Sequence, residues 1–167
     1  PEGMTGEQAA QRAIDLAQRQ VGADRIAAIV VEPILGEGGF IVPARGFLPA
    51  LAAWARAHGI VFVADEVQTG FARTGAMFAC DDEGVVPDLV AVAKGIAGGM
   101  PLAGVTGRAE LLDAVHPGGL GGTFGGNTPM QRWRDRKAAT VIAEAAASVG
   151  ETITRIDLRE EATNAAG

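Results

Sequence analysis

Three polar residues, Glu32, Asp65 and Lys94, stand just behind short apolar runs at positions 26–31, 60–64 and 89–93. Apolar runs of that length read as buried strands, and open parallel sheets bind ligands beyond the carboxyl ends of their strands. The three side chains are therefore expected to converge on one cleft. Burial at the end of an apolar segment favours the neutral form of a lysine, which attacks an aldehyde to make an imine. Taken singly, each residue also has a plainer reading: a lysine snorkels from a strand end, and an acid caps a helix or bonds a loop. Asp65 and Glu66 are adjacent, so on a strand they point to opposite faces and only one can face the cleft. Glu32 precedes Pro33, where a structural role and a role in the site weigh evenly.

The remaining candidates for chemistry are weaker. His58 falls at an expected helix end and His116 precedes a proline in a loop, so both are expected at the surface. Cys80 sits among Asp81, Asp82 and Glu83, with no basic neighbour to activate its thiol. No metal site is expected.

The elements that must position these residues alternate between helix and strand. Thr5 with Gln8 three residues on forms a capping-box signature, and Ala9, Ala10, Ala13, Ile14, Ala17 and Val21 follow at helical spacing. A loop containing Gly36, Gly38 and Gly39 leads to a second amphipathic helix over 47–58, closed by Gly59. A short helix is expected over 108–115, before the glycine-rich stretch 118–126. This order predicts an α/β fold with a mostly parallel sheet covered by helices.

Composition narrows the function. With 167 residues and 48% apolar content, the chain suits one domain with a real core. Its net charge of −6 is scattered and there is no basic stripe, which points away from nucleic acid and toward small-molecule chemistry. One cysteine cannot form an intramolecular disulfide, and no apolar run reaches membrane-spanning length, so a cytoplasmic protein without a membrane partner is expected. The 24 glycines follow no period and suit turns and close backbone approaches.

Four ordered segments carry a resemblance: AAIVVEPILGEGGF at 27–40, VADEVQTGFARTG at 63–75, AKGIAGGMPLAGV at 93–105 and GGTFGGN at 121–127. Thr123 also follows Lys94 at the interval by which Lys94 follows Asp65. Together these segments resemble the class III aminotransferases of the fold type I pyridoxal-phosphate enzymes, and within that family the enzymes acting on 4-aminobutyrate. The resemblance implies pyridoxal 5′-phosphate as cofactor, with Lys94 as the Schiff-base lysine and the base that moves the substrate proton. Asp65 would face the ring nitrogen and keep it protonated, Val67 would pack on the ring, and Gln68 would bond near its phenolic oxygen. Thr123 would bind the phosphate of a neighbouring subunit, which implies a homodimer. Glu37 would pair with an arginine when the amino donor binds and release it for the 2-oxo acid, and Glu32 would lie near Gln68 and the cofactor.

The implied reaction moves the amino group of 4-aminobutyrate to 2-oxoglutarate, giving succinate semialdehyde and glutamate. Within the family the alternative is an ornithine or acetylornithine type of transaminase; outside it, the alternative is an inactive truncated remnant. The resemblance covers residues 1–127, the central part of a cofactor-binding large domain. The family's phosphate loop, stacking aromatic residue and substrate arginine are not expected within this piece. Residues 128–167 diverge from the family and are expected to be helical in part, with Asp135 capping an alanine-rich helix. Such a piece is expected to leave apolar sheet surface uncovered.

Overall fold

In the computed structural model, which describes residues 3–100 and 102–116, Thr5 starts the first helix, α1 (Gly6–Gln20). Its hydroxyl accepts the Gln8 N–H at 3.3 Å, while the Gln8 side chain accepts the Thr5 N–H at 3.0 Å. Two orphan donors of the first turn are thus satisfied reciprocally, as the sequence signature requires. The second helix, α2 (Phe47–Ala57), ends at His58, and Gly59 turns the chain at φ +66. A residue with a β-carbon would be strained there.

Both helices lie on the same core. Ala10 and Ile14 of α1 meet Leu48, Leu51 and Ala55 of α2, and Phe62 and Ala64 of the sheet join them. The sheet comprises β1 (Ala28–Val31), β2 (Val61–Asp65), β3 (Leu89–Val92) and β4 (Gly104–Gly107), in chain order across the sheet. β1 pairs with β2 and β2 with β3 in parallel, whereas β4 returns antiparallel to β3. The expected α/β fold with a mostly parallel sheet is therefore present. The antiparallel β4 had no signal in the sequence, because its four residues include a single large apolar side chain, Val105, which is exposed.

Asp88 fastens the start of β3. Its Oδ2 accepts the Phe62 N–H at 2.8 Å, and its Oδ1 accepts from Arg108 Nη1 at 2.8 Å. Burial opposes its ionisation, but the Phe62 N–H and the Arg108 guanidinium outweigh that and hold the carboxyl below its ordinary value. Arg108 also precedes α3 (Ala109–Leu112), which is shorter than the helix expected over 108–115.

The strands are not buried on both faces as their apolar runs suggested. β1 alternates exposed and half-buried residues, with Val30 at 67% exposure, and β2 and β3 alternate half-buried and buried ones. Among the described residues β1 has a strand neighbour on one side only. Its exposed Val30 pairs in register with the half-buried Val63, on the face opposite the buried Phe62 and Ala64. Phe40, Ile41 and Val42, in the loop after β1, are exposed as well. Among the described residues no helix is long and apolar enough to cross a membrane. Thr123, the glycine-rich stretch 118–126 and the tail 128–167 with Asp135 lie outside the described residues.

Candidate functional site

Because β1, β2 and β3 run parallel, their carboxyl ends share one edge of the sheet. Glu32 follows β1, Asp65 ends β2, and Lys94 lies two residues beyond β3. Val31 stands opposite Ala64, so the register sets Glu32 beside Asp65; Asp65 stands opposite Ala91, so Lys94 lies three residues further along the neighbouring strand's path, beyond the same edge. Glu32 and Asp65 line a cavity of about 530 Å3 whose other walls, Val30, Val31, Leu35, Ile41, Pro43 and Phe47, are apolar.

The two carboxylates at this edge are held differently. Glu32 Oε2 accepts the Gly36 N–H at 2.9 Å and closes the turn that follows β1. Asp65 is half-buried and its Oδ1 accepts the Val67 N–H at 3.1 Å, which stiffens the strand end. Gln68 comes next, and its Nε2 donates to Glu37 Oε1 at 3.1 Å. Gly36 lies directly under the Gln68 amide, so Glu32, Gly36, Gln68 and Glu37 form one connected group.

Glu66 takes the opposite face, as strand alternation demands. It is 1% exposed, and its carboxylate accepts the Ala79 N–H at 3.1 Å, the Cys80 N–H at 2.9 Å and the Thr69 hydroxyl. Sequence reasoning gave Glu66 no task. The available signal was parity: Glu66 shares its face with the buried Phe62 and Ala64, and a carboxylate there must find donors. Burial, then the Glu66 charge, push the Cys80 thiol up to about 12, so nothing activates it, as expected.

Lys94 departs from expectation in one respect. It is exposed rather than buried, because β3 ends at Val92 and the chain turns at once into a 3-10 turn, Lys94–Ala97. Its φ of +47 places it in the left-handed region, which costs a residue with a β-carbon about 1–2 kcal/mol. Strain of this kind collects at functional positions. Behind Lys94, Ile96 and Ala97 are buried with Val90 and Val92, and Phe71, Phe78 and Leu102 pack against them. The Phe71 and Phe78 rings meet edge to face at 5.9 Å.

Both histidines are surface residues, as expected. His58 stacks on Trp54 at 4.6 Å with its Nδ1 2.8 Å from the Trp54 carbonyl, and His116 is exposed. Among the described residues no cluster of three or more metal-binding side chains occurs.

Known proteins resemble this chain in sequence and fold. The family described as Aminotransferase class-III matches residues 2–147. Over 122 residues the chain is 65% identical to the 4-aminobutyrate aminotransferase of Mycobacterium leprae, covering 73% of this chain and 27% of that one. Over 102 residues it is 54% identical to a 5-aminovalerate aminotransferase of Pseudomonas aeruginosa, covering 61% and 24%. Among solved structures, the ornithine aminotransferase of Toxoplasma gondii is similar with a TM-score of 0.68 at 36% identity, covering 83% of this chain and 31% of that one. The chain thus spans about a quarter of the length of the sequence relatives it matches. With the match running through β1, β2 and β3 and the polar residues at their ends, the chain belongs to the class-III aminotransferases.

Proposed function

We propose that this chain carries the central part of a pyridoxal-phosphate site that transfers the amino group of 4-aminobutyrate to 2-oxoglutarate. The observation that carries the reading is the placement of Glu32, Asp65 and Lys94 at one edge, behind three adjacent parallel strands. The 65% identity to a 4-aminobutyrate aminotransferase favours that amine over the five-carbon amino acid of the 54% relative.

The residues present fit the cofactor. A half-buried carboxylate, Asp65, in an otherwise largely apolar cavity suits a flat ring bearing a protonated nitrogen, and Lys94 offers an exposed primary amine at the same sheet edge. When bound, pyridoxal phosphate supplies an electron sink for the bonding pair at the amine-bearing carbon of the donor. Lys94 would hold the cofactor through its Nζ and would serve as the base for the proton at the amine-bearing carbon of the donor. Asp65 would hold the proton on the ring nitrogen, and Val67 would pack on the ring. Gln68 would bond near the phenolic oxygen, and Thr123, outside the described residues, would bind the phosphate of a neighbouring subunit in a homodimer. Glu37 and Glu32 set substrate choice.

In this reading residues 1–127 are the central part of the large domain and 128–167 a divergent tail, although the family match reaches residue 147. The buried, unpaired Cys80 suits a reducing compartment such as the cytoplasm.

The test is covalent. Mixing the purified chain with pyridoxal phosphate, reducing with borohydride and mapping the adduct by mass spectrometry should place it on Lys94 in preference to Lys137. An adduct spread evenly over both lysines, or a Lys94→Ala chain that binds as much cofactor, sinks the reading.

A further inference from the structure

We propose that Glu66 is a positioning residue for this site, its buried carboxylate fastening segment 66–80 to the end of β2 and so holding Asp65, Gln68 and the packing behind Lys94 in place. The proposal rests on the cofactor-site reading above. Glu66 reaches 13 and 14 residues along the chain to the Ala79 and Cys80 N–H groups, and the Thr69 hydroxyl is its third donor. Within the closed segment the Gly70 N–H donates to the Glu66 carbonyl at 2.8 Å. A β-carbon at position 70 would stand 2.9 Å from that same oxygen, so the approach admits glycine alone. Phe71 and Ala72 follow at φ +58 and +65, with the Phe71 N–H on the Met77 carbonyl at 2.8 Å, and the chain returns to Phe78.

One carboxylate therefore closes a loop with two outward tasks. Gln68 holds Glu37, and Phe71 with Phe78 packs against the cluster containing Ile96 and Ala97 just behind Lys94. Charge matters here as well as shape. Three donors converge on two oxygens, and a glutamine amide would turn its own N–H groups toward one of them. Its neighbour Asp65 is tied to Val67 by a single hydrogen bond, so slack in the loop passes directly to the residue expected at the ring nitrogen.

Cys80 is the sole cysteine of the chain and lies in this clamp, so it reports on it. In the full 167-residue chain, Glu66→Gln should leave the far-ultraviolet circular dichroism unchanged. It should raise the rate at which an aromatic disulfide labels Cys80 by roughly tenfold or more. The Val67 backbone amide and Gln68 side-chain amide signals should shift in 15N NMR spectra. Unchanged labelling overturns the clamp; faster labelling with unmoved Val67 and Gln68 signals overturns the positioning role. Should Glu66→Gln lose its helical signal, Thr69→Val, which removes one hydroxyl donor, decides the matter through the same readouts: smaller changes in the same direction support the proposal and none overturns it. Borohydride trapping of pyridoxal phosphate, run in parallel, should show the Lys94 preference weakened in Glu66→Gln. A parent chain without that preference counts against the cofactor reading, while the thiol and NMR readouts still decide the role of Glu66.

Discussion

The Gln68 amide occupies the volume that a side chain on Gly36 would need: a β-carbon there would stand 2.7 Å from both Cδ and Nε2 of Gln68. Gly36→Ala must therefore push the amide aside and stretch or break its bond to Glu37. Because the amide is the free end of a flexible side chain, the loss of stability should stay below about 1 kcal/mol, read from the urea midpoint, while the Gln68 side-chain NMR signals shift. A variant as stable as the parent, with unchanged Gln68 side-chain signals, would show that the loop yields freely.

Lys94 carries backbone strain as well as an amine. Lys94→Gly should remove the left-handed penalty, and after allowing for the extra freedom of glycine in the unfolded chain it should gain about 0.5–1 kcal/mol. Lys94→Ala keeps the penalty and should match the parent. Both variants should lose the trapped cofactor adduct. Equal urea midpoints for the two variants would remove the case for strain.

Cys80 gives the fold an alkaline dependence. A thiol pushed from 9.0 to about 12 on folding keeps its proton while the unfolded chain gives its proton up. Its contribution is complete below the unfolded value near 9 and is lost as the pH climbs toward 12. Cys80→Ala should flatten the fall in stability above pH 9, measured by thermal melts across pH 8–11. An unaltered slope contradicts the assignment.

Asp88 works at the other end of the scale. Its carboxyl is held below the ordinary value of 3.8, so its contribution is present above that value and is lost as the pH falls through the lower folded value. Asp88→Asn should weaken the chain at neutral pH and make its stability less sensitive to acid below pH 4. Acid titration of the circular dichroism signal checks this, and parallel curves for parent and variant would refute it.

Local rules made much of the fold legible. The Thr5 and Gln8 pair, Gly59 and the three apolar runs mark features that short-range geometry decides, and each is in place. What required the third dimension was coverage. An apolar run such as 26–31 reads as buried, yet among the described strands β1 lies at the sheet edge and exposes Val30. β4 forms because Asp88 and Arg108 close the return onto β3, a pairing across 20 residues that no local pattern announces. At the site, parity separated Asp65 from Glu66. The donors that make Glu66 a structural carboxylate lie up to 14 residues away, at Thr69, Ala79 and Cys80, and became visible only when the chain had folded back.

Chain order and spatial order coincide across the sheet, from β1 to β4. During synthesis β2, β3 and β4 therefore each find a partner already made, and among the described strands none has to be inserted between two others. The ends that carry Glu32, Asp65 and Lys94 are laid down in that same sequence. The edge of the candidate site is thus assembled stepwise and in one direction, and Lys94 arrives after both acids are in place.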